Sequence, residues 1–91
     1  MKITETAVFE NYILISASGN NSNENLDTMC IFIYKSEITI IAHDERYGQY
    51  TKRFPREPHV IFNENNIHGY YLDAISTGEK TWESEPRTQL V

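Results

Sequence analysis

The chain has 91 residues, with 13 Asp and Glu against 8 Lys and Arg, for a formal charge of −5. Its 40% apolar and 12% aromatic content argues against disorder, and no apolar run reaches the ~18–20 residues a membrane helix needs. A lone cysteine, Cys30, excludes an intramolecular disulfide and suits a reducing cytoplasm, and the opening Met1–Thr6 lacks the apolar stretch of a secretory leader.

One domain over residues 1–91 is expected from the length. Ile, Val and Thr number 11, 3 and 8, against ten Leu, Ala and Met together. Such β-branched side chains fit a pleated, half-buried surface better than a helix. In chain order, Ala7–Phe9 and Tyr12–Ser18 read as strands around a turn at Glu10-Asn11, with Ile13, Ile15 and Ala17 on one face. A polar loop follows over 19–27, rich in Gly and Asn.

The clearest element is the pair of runs Met29–Lys35 and Ile38–Ala42 around Ser36-Glu37. A two-residue loop there pairs Ile33 with Ile40 and Cys30 with His43. Any even-length loop sorts the side chains the same way. Met29, Ile31, Ile33, Ile38, Ile40 and Ala42 share a core face. Cys30, Phe32, Tyr34, Thr39, Ile41 and His43 share an amphipathic face that another element, or a partner, could cover.

Residues 44–58 read as a long connection containing Gly48, Pro55 and Pro58. His59–Phe62 and Ile67–Ser76 then flank Asn63–Asn66 as a second hairpin, with a short helix over Gly69–Ser76 as the alternative. Thr77–Lys80 reads as a turn before a last strand around Thr81–Ser84, and the tail at 85–91 is expected to fray. The chain is therefore expected to be mainly β: a single small antiparallel sheet, curled or barrel-like, of five to seven strands with at most one short helix.

Charge is uneven. The stretch 46–56 holds Arg46, Lys52, Arg53 and Arg56 with no acid, interleaved with Tyr47, Tyr50 and Phe54, while the other 80 residues carry −9. Guanidinium forks and aromatic planes can hold an anion, so this stretch is a candidate clamp for a small ligand such as a nucleotide. The bland reading is that it folds back on its own acidic body, near Asp44, Glu45 and Glu57. Direct nucleic-acid binding is disfavoured by the net charge. The acids are scattered, which argues for a solvated surface over a mimic of nucleic acid.

His43, His59 and His68 are the only imidazoles. The second hairpin would align His59 with His68, and Cys30 faces His43, but no CxxC, HExxH, Gly-rich phosphate loop or G-x-S-x-G elbow occurs. No metal or other cofactor and no catalytic residue is expected. Acid–base cleavage by His59 and His68 remains the third-ranked reading. Tyr70, Tyr71 and Trp82 lie in the C-terminal part, where Tyr and Trp serve as interface anchors. The leading expectation is a small protein whose product is a surface: an inhibitor, immunity protein, antitoxin or phage counter-defence factor that occludes a protein partner. Its candidate contacts are Arg46, Tyr47, Tyr50, Lys52, Arg53, Arg56, Tyr70 and Trp82. Sheet edges make a homo-oligomer plausible as well.

Overall fold

A computed structural model of the chain describes residues 1–20 and 26–82. Six strands, β1 (Lys2–Val8), β2 (Ile13–Asn20), β3 (Leu26–Ile33), β4 (Glu37–Asp44), β5 (Gly48–Pro55) and β6 (Glu79–Trp82), and one helix, α1 (Ile67–Thr77), make up the architecture. The strands form one open sheet in sequence order, every neighbour antiparallel. The mainly β, single-sheet expectation holds, and the sheet does not close into a barrel. Among the described residues no helix is long and apolar enough to cross a membrane.

The two faces sort by residue parity. On β2, β3 and β4, Ile15, Ala17, Met29, Ile31, Ile38, Ile40 and Ala42 are buried, and from α1 Ile67, Tyr71 and Ala74 join them. The facial sorting of β3 and β4 is as the sequence implies, but the register is not. Ile33 pairs with Ile38 and Cys30 with Ile41, while the Tyr34 amide donates to the Glu37 carbonyl at 2.9 Å. The two-residue turn is thus Lys35-Ser36. A shift of two residues leaves every side chain on its face, and His43 moves opposite Thr28.

Further expectations need correction, among them the turn expected at Thr77–Lys80, where α1 ends at Thr77 and β6 begins at Glu79. The flanks of the 19–27 loop are strand, in β2 to Asn20 and in β3 from Leu26, and residues 21–25 lie outside the described residues. The 44–58 connection is mostly β5. Asp44 Oδ1 accepts from the Arg46 and Tyr47 amides at 2.7 and 3.1 Å, and Gly48 follows with φ 105°. An Asx turn closed by a glycine at positive φ is a compact hairpin device. The 59–76 hairpin is α1 and its approach. Asn63 Oδ1 accepts from the Asn65 and Asn66 amides at 2.8 and 3.1 Å, which bends the chain into the first helical turn. Ile67, Tyr70, Tyr71, Ala74 and Ile75 then fall at helical spacing on one face. The end of the expected last strand and the 85–91 tail lie outside the described residues.

Helix and sheet are keyed together at several points. Tyr71 Oη donates to Asp44 Oδ2 at 2.9 Å, Lys52 Nζ pairs with Asp73 and Tyr70 stacks on Phe54 with centroids 6.4 Å apart. At the exit, a Cβ on Gly78 would stand 2.4 Å from the Ala74 carbonyl oxygen, so only glycine lets α1 turn directly into β6 there. The outer edge at β1 carries a register shift between Ile3 and Glu5, and its Ile3 amide donates to Glu64 Oε2 at 3.0 Å. Both features discourage edge-to-edge pairing.

Ile31→Ala, at a side chain with no exposed surface, is expected to lower the unfolding free energy by about 2–5 kcal/mol. Leu72→Ala, on the outer side of α1, should cost less than about 0.5 kcal/mol. Urea titration of the two variants checks both, and equal losses would contradict the placement of α1.

Candidate functional site

The side of the sheet away from α1 is not covered by any described element. It is built from the alternate residues of the four central strands, whose registers place them in rows. Leu14, Phe32, Thr39 and Arg53 form one row, and Ser16, Cys30, Ile41 and Thr51 the next. Toward the hairpin end the surface becomes aromatic. Tyr12 lies 4.9 Å from Phe9, 5.7 Å from Phe32 and 5.5 Å from Tyr34, centroid to centroid. Phe9 and Tyr34 are exposed, and Phe32 and Ile41 are half-buried.

A groove of about 680 Å³, open to solvent, runs along this end between Phe32, Tyr34, Thr39, Ile41 and Arg53. Its size is within the usual range for binding clefts, but its floor is a pleated sheet and not an enclosed cavity. The Arg53 guanidinium makes no hydrogen bond or ion pair among the described residues, while Thr39 Oγ1 donates to Glu37 Oε2 at 3.3 Å beside it. The result is a flat, ring-rich surface with a guanidinium at its margin. Aromatic side chains bury much area with few rotors to freeze, which suits them to interfaces.

The residues singled out in the sequence are scattered by the strand. Arg46 and Tyr47 sit in the β4–β5 turn, the guanidinium 4.9 Å from the Tyr47 ring and its Nε 3.7 Å from Asp44 Oδ1. Tyr50 and Lys52 face α1. Tyr50 Oη donates to the Tyr47 carbonyl at 3.4 Å, and Lys52 Nζ reaches Asp73 and, at 2.9 Å, Thr77 Oγ1. Arg53 points to the open side. Arg56 lies past the far end of β5, its Nη1 donating to the Tyr34 carbonyl at 3.1 Å. At about 3.3 Å per residue, Arg46 and Arg56 are roughly 30 Å apart along the chain. Tyr70 packs between Phe54 and Phe62 on α1's side. Trp82 ends β6 opposite Gln49, and its side chain lies outside the described residues.

The histidines are dispersed too. His68 stacks on Tyr71 in α1, centroids 6.1 Å apart, while His59 lies 3.5 Å from Glu57 and is well exposed. Helical placement of His68 removes the shared strand face. Among the described residues, no three His, Cys, Asp or Glu side chains are placed to hold a metal ion. Of the ring cluster, the sequence reading placed Phe32 and Tyr34 on the correct face but missed Phe9 and Tyr12. Their signal was parity, since both flank the Glu10-Asn11 turn in phase with Leu14. No family model matches the chain, and comparison with curated proteins and with solved structures gives no match.

The two neighbouring cations of β5 should behave differently. Lys52→Ala, which removes a partly exposed ion pair, is expected to cost up to about 1 kcal/mol in a urea titration. Arg53→Ala should change stability by less than about 0.5 kcal/mol. A larger loss for Arg53→Ala would mean that its stem is part of the packed sheet.

Proposed function

We propose that the protein is a non-enzymatic protein-binding module of the inhibitor, immunity, antitoxin or phage counter-defence kind, which acts in the cytoplasm by occluding the working surface of a protein partner. The observation that supports this reading is the uncovered sheet face with its Phe9, Tyr12, Phe32 and Tyr34 rings. In this reading Phe32, at the centre of the patch, is the main anchor, Tyr12 and Tyr34 form its rim and Arg53 supplies the charged contact. Central aromatic and Arg side chains commonly dominate interface energetics. The acidic body would speed encounter with a basic target such as a nuclease.

A small-anion clamp through 46–56 has less support. Arg46, Lys52 and Arg56 are each engaged within the fold, and the four cations fall on two faces and two ends of the sheet. An acid–base enzyme has less still, because His59 and His68 do not converge.

Tagged wild-type protein and Phe32→Glu, each verified as folded by circular dichroism, would be recovered from a host lysate and weighed by native mass spectrometry. Wild type is expected to carry one macromolecular partner at fixed stoichiometry. Phe32→Glu should lose it, since removing a central anchor typically costs about 2 kcal/mol or more. A partner retained by Phe32→Glu would move the binding surface elsewhere. A mass increment of about a few hundred daltons that disappears with Arg53→Ala would instead favour the anion reading.

A further inference from the structure

At the end of the sheet away from the ring cluster, the helix-covered face finishes in two acids. Asp27 and Asp44 are direct partners in the β3–β4 ladder, and they are 6% and 4% exposed. Directly opposed side chains on one face stand about 4.5–5.5 Å apart at Cβ. Two carboxylates that close, and shielded from water, cannot both ionise without a heavy cost.

Their surroundings are unequal. Asp44 is rich in donors: the Arg46 and Tyr47 amides reach Oδ1, the Tyr71 hydroxyl reaches Oδ2, and the Arg46 guanidinium lies 3.7 Å off. Asp27 Oδ1 is sealed from solvent and has no hydrogen-bond partner among the described residues. A buried carboxylate oxygen left bare is costly, whereas a protonated carboxyl beside an ionised one can donate to it.

Among the described residues the facing groups are few. From α1 come Tyr71 and, stacked on it, His68. The β4–β5 turn contributes Arg46, Tyr47 and Glu45, and the Glu45 carboxylate is occupied by the Leu26 amide. From β2 the neighbour is Gly19, over which the Met1 backbone with its amino group lies. On β5, Gly48 stands opposite Asp44.

We propose that Asp27 and Asp44 form a binding site for a single proton, and that this proton latches α1 and the β4–β5 turn onto the sheet. Asp27 carries the proton and gives it as a hydrogen bond to Asp44. Asp44 stays ionised and holds the turn amides and Tyr71. If the proton leaves, two like charges face each other beneath the helix. If a second proton arrives, Asp44 loses the charge that strengthens its bonds to the turn and to Tyr71.

Electrostatics agree with this division. Burial, then the Asp44 charge, raise the Asp27 carboxyl above its usual range, against weaker opposing pulls from the Tyr71 hydroxyl and Arg46. Burial also opposes ionisation of Asp44, but the Arg46 amide, the Tyr71 hydroxyl and the Tyr47 amide outweigh it and lower its pKa. The raised group stabilises the fold below the ordinary Asp range, and its contribution is lost as pH rises through its folded value. The depressed group contributes above the ordinary range, and that contribution is lost as pH falls through its own folded value. Stability therefore peaks between the two, where the pair holds one proton.

The test is amide hydrogen exchange of α1, corrected for intrinsic rates, in the full chain from about pH 4 to about pH 8. Wild-type protection over Tyr71–Ile75 is expected to fall at least about tenfold as pH climbs through the raised Asp27 value. Asp27→Asn keeps a donor toward Asp44 without a charge, so its protection should match or exceed wild type at neutral pH and show no such fall. Glu10→Gln, an exposed acid of the β1–β2 turn outside the pair, should keep the wild-type profile. Flat wild-type protection, or the same fall in Asp27→Asn, overturns the proposal. Should Asp27→Asn not fold, the carboxyl carbon shift of Asp27 in the wild type decides: a titration at the ordinary Asp value refutes the latch and a raised one supports it.

Discussion

An antiparallel meander of six strands cannot bury both of its faces with one eleven-residue helix, and the structure follows from which face takes the cover. The side chains of Met29, Ile31, Ile38, Ile40 and Ala42 leave no choice. Exposed to water, this apolar area would forfeit roughly 25 cal/mol for each Å². Ile67, Tyr71 and Ala74 are the residues that α1 presents to it. Their spacing fixes the rotation of the helix, and the Tyr71–Asp44 bond, the Lys52–Asp73 pair and the Tyr70–Phe54 stack fix its position along the strands. Once α1 is docked, Gly78 delivers the chain to the edge of β5, and β6 has only one place to pair.

The same choice creates the candidate surface. Since the helix is used on one side, the opposite residues of each strand stay without a described cover. On β5 this divides the basic stretch by parity: Lys52 turns to α1 and becomes a structural partner, and Arg53, one residue later, faces out. A cluster that looks continuous in sequence is therefore two populations with different roles. The ring cluster shows the converse. Phe9 and Tyr12 are about twenty residues or more from Phe32 and Tyr34 in the chain, yet two adjacent hairpin ends bring all four together.

The sheet thus has two chemically distinct ends. Aromatic rings gather on the open face at the β1–β2 and β3–β4 turns. Carboxylates close the covered face at the β4–β5 turn, where Asp44 serves three tasks: it caps the turn, receives Tyr71 and faces Asp27. A polar cluster at the rim of an apolar layer restricts how the layers can slide, because any other register would strand a buried acid.

Alternation of side chains was enough to make the faces of β2, β3 and β4 legible in the sequence, since any even-length loop preserves parity. The antiparallel, mainly β character followed from β-branched and aromatic content. Helix α1 was less legible because Ile67, Tyr70, Tyr71 and Ile75 are good strand formers. Their spacing of three and four residues was the contrary signal, and Asn63–Asn66 was its start. The β5 strand was obscured by Gly48 and Pro55, which mark its two ends and looked like loop residues. Local sequence thus determined which residues pair with which face, because that depends only on the two-residue period of the backbone. Only the tertiary structure decided which face the helix covers, where Lys52 and Arg53 part and that Asp27 meets Asp44. Those outcomes depend on register and packing between segments far apart in the chain, on which the local pattern places no constraint.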